Sequence, residues 1–350
     1  MRVLFIGGTK RGHLTLKALI DRAYHIVGII SLQQDAHEIE RYERVIKSIA
    51  EESEIPLYET KWMKDRDYAA LISDEIRPDI ALVVGCRILI PPAVYQVPPL
   101  GTLAVHDSLL PAYRGFAPLN WSILNGENHT GVTLFYLNEL MDGGDIVAQQ
   151  RVSIAPDDTA PLVYEKVCHA TVDLILGALP RLERGEASRT LQDYARGSLT
   201  CSRIPADGMI DWRASTQAIH DQVRGLTYPY PGAFTFYEGK KLIIWTAQSL
   251  DNAPLYTGRI PGRVVGRLRE QGSVDVLTGD GILRVSEVQL QDAMRTAATE
   301  VIRSVRATLG LRETDLLDRI QGLEQQVRAL TTMLHGDESL RSARTNSQMS

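Results

Sequence analysis

Cysteine is scarce in this chain, and the three present, Cys86, Cys168 and Cys201, lie far apart with no CxxC pair. That excludes a disulfide framework and a cysteine metal set, and reads as reduced thiols in a cytosolic protein. Long hydrophobic runs are missing too. No stretch approaches the roughly 18 apolar residues of a membrane helix, and the opening MRVLFIGGTKRG breaks into charge too soon for a signal peptide. There is no excess of basic charge: 38 Lys and Arg stand against 43 Asp and Glu, a net charge of −5. This argues against a chain-wide electrostatic grip on nucleic acid. Apart from His106, the histidines (13, 25, 37, 129, 169, 220 and 335) show no metal-ligand spacing, so no metal is implied. What remains is ordinary core material. With 44% apolar residues over 350 positions, the chain has enough for two domains.

RVLFIGG reads as a buried strand ending in a glycine turn, and HLTLKALIDRA as the helix after it. HIVGIISL, DIALVVG and GTLAVH are further buried strands, and Ile39, Tyr42, Ile46 and Ile49 recur at helical spacing between them. Strands alternating with helices predict an α/β, Rossmann-like parallel sheet, whose ligands bind at the carboxyl ends of the strands. TGVTLFYL and DIVAQQRVSI read as two more strands, and TAPLVYEKVCHATVDLILGALPRLERG as a long closing helix. The polar, turn-rich QDYARGSLTCSRIPADG marks a boundary, so residues 1–200 form a first domain. Residues 205–308 carry the helical STQAIHDQVRGL and five short strands, which predict a small β-barrel-like domain. In the tail, 309–350, Leu316, Ile320, Leu323, Val327, Leu330 and Leu334 alternate four and three apart. That is the seam of a short coiled coil joining two copies, or of a helix packed on its own barrel. The final SARTNSQMS reads as disordered.

Two nucleotide motifs fail. GGTKRG lacks the Lys-Ser/Thr that follows a phosphate loop, and Thr9 breaks the dinucleotide fingerprint. A tight strand-to-helix turn is the simpler reading, although Lys10 and Arg11 at a helix start are placed to meet an anionic substrate. The segment GTLAVHDSLLPAYRG is more informative, because His106 ends a strand where a site belongs. It is followed by the helix-like APLNWSILNG, the strand TGVTLFYL and the acidic, glycine-flanked turn ELMDGGD.

This order resembles the folate-dependent formyltransferase family, which includes methionyl-tRNA formyltransferases, sugar N-formyltransferases and glycinamide ribonucleotide transformylase. The resemblance to the first two spans residues 1–310, since DGMIDWRASTQAIHDQVRGLTYPYPGAFTF is similar to the start of their C-terminal domain. It implies that His106 and Asp142 are catalytic, with 10-formyltetrahydrofolate as formyl donor and an amine as acceptor. An imidazole donates to the tetrahedral oxyanion, and a carboxylate orients the ring and raises its pKa, or helps take the amine proton. The resemblance also implies that the pterin ring lies between VGCRILIPP and the acidic turn, which assigns Arg87, Ile88, Leu89, Leu140, Met141 and Asp142 to folate. Glycines 143 and 144 would let backbone approach a ligand. Arg114 either holds its loop or touches an anion. Arg203 matches a substrate-facing arginine of the sugar enzymes, or is a solvated linker residue.

One position departs. The family has Asn two residues before the His, donating an amide N–H to the formyl oxygen; here it is Ala104. Losing one such donor lowers kcat by about 10²–10³. Asn120 and Asn138 are candidates to replace it; alternatively, the acyl donor or reaction differs, or the chain is a folate- or nucleotide-binding protein without catalysis. A folate hydrolase, releasing formate with water alone, is a further reading. The acidic chain argues against a tRNA acceptor, and TCSRIPADG and YPYPGAFTF are closer to the sugar enzymes. An amino sugar nucleotide or similar small metabolite is the expected acceptor, with methionyl-tRNA as the alternative.

Overall fold

The computed structural model describes residues 1–33, 41–64, 66–250, 252–311 and 313–346, and in the last helix the side chains of 314 and 316–332. Ile39 and His37 lie outside the described residues, as do the side chains of Leu334 and His335.

The first 153 residues build a seven-stranded sheet from β1 (Arg2–Gly7), β2 (His25–Leu32), β3 (Leu57–Thr60), β4 (Ile80–Val84), β5 (Thr102–His106), β7 (His129–Tyr136) and β8 (Ile146–Ser153). The order is β3-β2-β1-β4-β5-β7-β8, with the first five parallel and the last two antiparallel. Two short strands, β6 (Arg114–Gly115) and β9 (Leu199–Thr200), pair outside it. Strand β3 was not expected from the sequence: it is a four-residue edge strand in which only Thr60 is buried, so it leaves no apolar run to read.

Alternation along the strands divides the core. Val3 and Phe5 of β1 point to a cluster with α1 (Thr9–Asp21), α2 (Tyr42–Glu52) and α6 (Ala160–Glu183), while Leu4 and Ile6 point to the other face. That second face is covered by α3 (Tyr68–Ala70), its π-helical extension Leu71–Ile76, and α4 (Pro92–Tyr95). Each fully buried Leu, Ile or Val contributes about 1.5–3 kcal/mol, so both faces must stay covered. Strand β5 obeys the same rule. Leu103 and Val105 enter the α6 side, whereas Ala104 faces the α3 side. His106, two residues on, shares the face of Ala104.

After α5 (Pro118–Leu124) and α6, the chain runs through irregular backbone to α7 (Thr216–Leu226), capped by the Ser215 side chain. Six antiparallel strands follow: β10 (Ala233–Tyr237), β11 (Lys240–Ser249), β12 (Val264–Leu268), β13 (Ser273–Leu277), β14 (Ile282–Leu290) and β15 (Arg295–Ala297). Their path is β10-β11-β14-β13-β12, with β15 on β14, and Ile219, Val223 and Leu226 of α7 pack into their core along with α8 (Ala298–Val301). Helix α7 also joins the two sheets. Arg224, held by Asp221 at 2.7 Å, donates to the Asp158 carbonyl at 2.8 Å, and Asn120 on α5 donates to the Gly225 carbonyl at 2.8 Å.

The chain ends in α9 (Glu313–Asn346). Residues 342–346, expected to be disordered, continue this helix; 347–350 lie outside the described residues. No helix among the described residues is long and apolar enough to cross a membrane.

Candidate functional site

His106 is the last residue of β5 and is 8% exposed. The chain then turns through Asp107–Ala112, pinned from the neighbouring strands. Thr133 donates to the Ser108 carbonyl at 2.6 Å and accepts from the Leu110 N–H at 3.1 Å, and Gln149 donates to the Leu110 carbonyl at 2.8 Å. The turn delivers Tyr113, whose carbonyl lies 2.8 Å from His106 Nε2. A carbonyl only accepts, so Nε2 carries a hydrogen and Nδ1 is the nitrogen that faces the site. Asp142 Oδ2 stands 3.5 Å from Nδ1 and accepts from the Gly115 N–H at 2.9 Å.

Asp142 reaches His106 from a loop that folds back, not from an adjacent strand end. Strand β7 runs antiparallel to β5, so its last residue, Tyr136, lies opposite Leu103, and His106 is opposite Thr133. The loop 137–145 must therefore fold back over about three strand residues, or about 10 Å, to present the carboxylate. Three non-glycine residues take left-handed backbone here: Tyr113 (φ 58°), Ala117 (φ 48°) and Asp142 (φ 49°). Such conformers cost about 1–2 kcal/mol each and persist only where the surroundings fix them.

The fixing groups come from the segment that reads in sequence as a polar linker. Gln192 donates to the carbonyls of Asp142 at 2.9 Å and Gly144 at 2.7 Å, and the Tyr194 hydroxyl donates to the Gly143 carbonyl at 2.5 Å. Arg114 lies over the Tyr194 ring at 4.7 Å. Gly143 and Gly144 serve this packing. A Cβ on Gly144 would sit 1.7 Å from the Tyr136 carbonyl oxygen, and one on Gly143 would sit 2.6 Å from Leu140 Cβ. Their close approach is therefore to the chain itself.

Burial is the largest influence on His106 and lowers its pKa below the ordinary value. The Asp142 charge and the Tyr113 hydrogen bond oppose this, and the Arg11 charge reinforces it. The net direction is the reverse of that expected from the carboxylate alone. Neutral imidazole with Nε2–H points a lone pair from Nδ1 at Asp142, so the 3.5 Å gap is where a mobile proton would sit.

Arg11, at the start of α1, forms an ion pair with Asp107, their side chains 11% and 17% exposed. Lys10 pairs with Glu165 on α6. Both are thus engaged by the protein. Arg203 lies over the Trp121 ring at 4.7 Å and donates to the Asp207 carbonyl at 2.9 Å, and Trp121 donates to the Cys201 carbonyl at 3.0 Å. Arg87 follows β4, and its charge acts on the Tyr230 hydroxyl, whose pKa is raised chiefly by burial. Tyr230, from YPYPG, brings the second domain to this neighbourhood and carried no signal in the sequence beyond a turn. Ile88 packs against the core cluster on the Ala104 face of the sheet, whereas Leu89, Leu140 and Met141 are exposed. The two candidate replacement donors have other partners: Asn120 donates to Gly225, and Asn138 accepts from the Leu140 N–H at 3.0 Å. Among the described residues, no group of three or more His, Cys, Asp or Glu is arranged to hold a metal ion.

Comparison with known proteins adds three findings. The family description "Formyl transferase" matches residues 1–179, and "Formyl transferase, C-terminal domain" matches 204–306. A methionyl-tRNA formyltransferase of Syntrophus aciditrophicus is 31% identical over 313 residues, covering 88% of this chain and 97% of its own. Among solved structures, an N-formyltransferase from Helicobacter canadensis in complex with folinic acid and dTDP-3-aminofucose aligns with TM-score 0.64 at 16% identity, over 84% of this chain and 99% of that one. HypX from Aquifex aeolicus in complex with tetrahydrofolic acid aligns with TM-score 0.59 at 20% identity, over 86% of this chain and 46% of that one. At these identities, the structural likenesses bear on the fold.

Proposed function

Because the chain belongs to the formyl transferase family, we propose that it transfers a formyl group from 10-formyltetrahydrofolate to the amino group of a small acceptor, an amino sugar nucleotide being the first candidate. The observation that carries this reading is the pairing of buried His106 with half-buried Asp142, with Nε2 committed to a carbonyl and Nδ1 turned to the carboxylate. The donor supplies an activated formyl carbon. Exposed apolar Leu89, Leu140 and Met141, on the loops after β4 and β7, fit the flat face of its ring system.

As the acceptor nitrogen attacks, charge builds on the formyl oxygen. As the amine's proton passes by way of Asp142 to the Nδ1 lone pair, His106 becomes the hydrogen-bond donor for that oxygen, and Asp142 stabilises the imidazolium. The C–N bond to the donor then breaks, and the proton released by the amine travels through the Asp142–His106 pair to the departing nitrogen. The products are a formamide and tetrahydrofolate. Ala104 supplies no second donor, so His106 carries more of the oxyanion stabilisation than in a site that has an amide at this position.

A second reading, methionyl-tRNA as acceptor, is supported by the 31% identity over 88% of the chain. Charge favours the small acceptor. Residues 205–310 hold 12 Lys and Arg against 11 Asp and Glu, and no basic surplus there balances the acidic first domain.

The test is to incubate the protein with 10-formyltetrahydrofolate and either amino sugar nucleotides or methionyl-tRNA, following tetrahydrofolate release and the mass of the acceptor. Formylated acceptor that disappears in His106→Ala and Asp142→Asn supports the reading. Formate release with water alone, or binding without turnover by any amine, rejects it.

A further inference from the structure

Helix α9 runs for 34 residues, about 51 Å at 1.5 Å per residue. Along one side, Leu316, Ile320, Leu323, Val327 and Leu330 are 43%, 52%, 53%, 60% and 61% exposed. A helix packed on its own barrel would bury this stripe. Here it faces outward, so the choice between the two readings of the tail falls on association.

The residue types specify the occupant. Spacings of four and three place Leu316, Leu323 and Leu330 at heptad position d, and Ile320 and Val327 at position a. A β-branched residue at a with leucine at d is the combination that favours two parallel strands over trimers and tetramers. The flanking charges agree. Arg319 falls at g and Glu324 at the following e, the pair that meets between chains in a parallel coiled coil. Each Arg319 would face Glu324 of the partner subunit, and twofold symmetry makes that contact twice. The positions away from the seam, Asp318, Gln321, Gly322, Gln325, Arg328, Ala329 and Thr332, include no large apolar residue.

From this we infer that α9 is a homodimerisation helix: the surface covering Leu316–Leu330 is the same surface of a second copy of this chain, parallel and in register, with Arg319 and Glu324 setting that register. The two catalytic bodies would leave the coiled coil from the same end.

The full-length protein is the material for the test, by sedimentation equilibrium over a range of concentrations. The native chain should show a reversible monomer–dimer equilibrium. Leu323→Asp should raise the dissociation constant by about 100-fold, since both helices lose a leucine from the shared seam. Because this substitution is on an exposed helix, far-UV circular dichroism and thermal melting of the body should match the native protein.

Charge exchange is the more specific arm. Arg319→Glu and Glu324→Arg alone should each weaken the dimer by about tenfold, and the double exchange should restore it. Residues five apart on one helix are separated by about 140°, so rescue within a single chain is not available. Orientation is read from Val327→Cys in a Cys201→Ser background, which should form an interchain disulfide under mild oxidation, because position a meets a′ only in the parallel arrangement. A chain monomeric at every soluble concentration overturns the inference. So does a dimer indifferent to Leu323→Asp, or one in which the double exchange fails to restore affinity.

Discussion

Replacing Arg11 with methionine isolates an interaction one residue away from the proposed catalytic imidazole. Arg11 keeps its bulk against the core through the methionine chain, but Asp107 loses its counter-ion in a position where only 17% of its side chain is exposed. Arg11 Nε is itself buried without a hydrogen-bond partner among the described residues, so the Asp107 carboxylate is what offsets burial of the guanidinium. Breaking such a pair from one side typically costs about 3–5 kcal/mol, because the remaining charge is stranded, whereas replacing both partners with apolar residues is often nearly neutral. Arg11→Met should therefore destabilise by about 3 kcal/mol, and Arg11→Met/Asp107→Leu should recover most of the loss. Urea titration followed by the fluorescence of buried Trp212 and Trp245 reads both. A second readout separates positioning from mere stability. The Arg11 charge is one of the causes that lower the His106 pKa, so its removal should move the group controlling kcat/KM to higher pH. A single-variant loss below about 1 kcal/mol, or a double variant no more stable than the single one, would refute the reasoning.

Ala104→Asn restores a carboxamide on the face of β5 that bears His106, and kcat should rise by about 10². A fall in kcat in a folded variant would mean that the oxyanion is already served. Thiol accessibility should divide sharply. Burial raises both Cys86 and Cys168 to about 11, so in native protein at pH 8 only exposed Cys201 should react promptly with a thiol reagent, and all three should react after denaturation. Stability should fall with acid over a defined window. His13, His106 and His220 are each lowered by burial from 6.5, so the unfolded chain takes up their protons first. Their contribution is complete above pH 6.5 and is lost as pH falls through that value towards the lowered ones. The urea midpoint should accordingly drop between pH 7.5 and 5.5, and an unchanged midpoint would count against burial as the dominant cause.

The parts of this molecule legible from sequence are those where burial writes a pattern. Strands β1, β2, β4 and β5 are continuous apolar runs because both of their faces are covered, and α6 follows from its own periodicity. His106 and Asp142 were singled out by the residues around them, and the structure brings their side chains to 3.5 Å. The approach of Asp142 was not legible, because the direction of β7 is a property of the sheet that the apolar string TGVTLFYL does not encode. Gln192 and Tyr194 left no trace either. Their task is to donate hydrogen bonds to backbone carbonyls, which can be met by any suitably placed donor and so produces neither periodicity nor motif. The tight packing of Gly144 against the Tyr136 carbonyl and of Gly143 against Leu140 was not legible either, since it depends on how the loop folds back on its own chain.

The two donors that grip the Asp142 loop come from beyond the long helix that closes the first sheet. A fragment ending at Glu183 would contain every strand of that sheet, both clusters of its core, His106 and Asp142, and still lack the groups that hold the carboxylate in its left-handed conformation. During synthesis, the strands of the sheet are therefore all made before the groups that set the carboxylate. A truncation placed between Glu183 and Gln192 would thus separate assembly of the strands from the setting of the carboxylate.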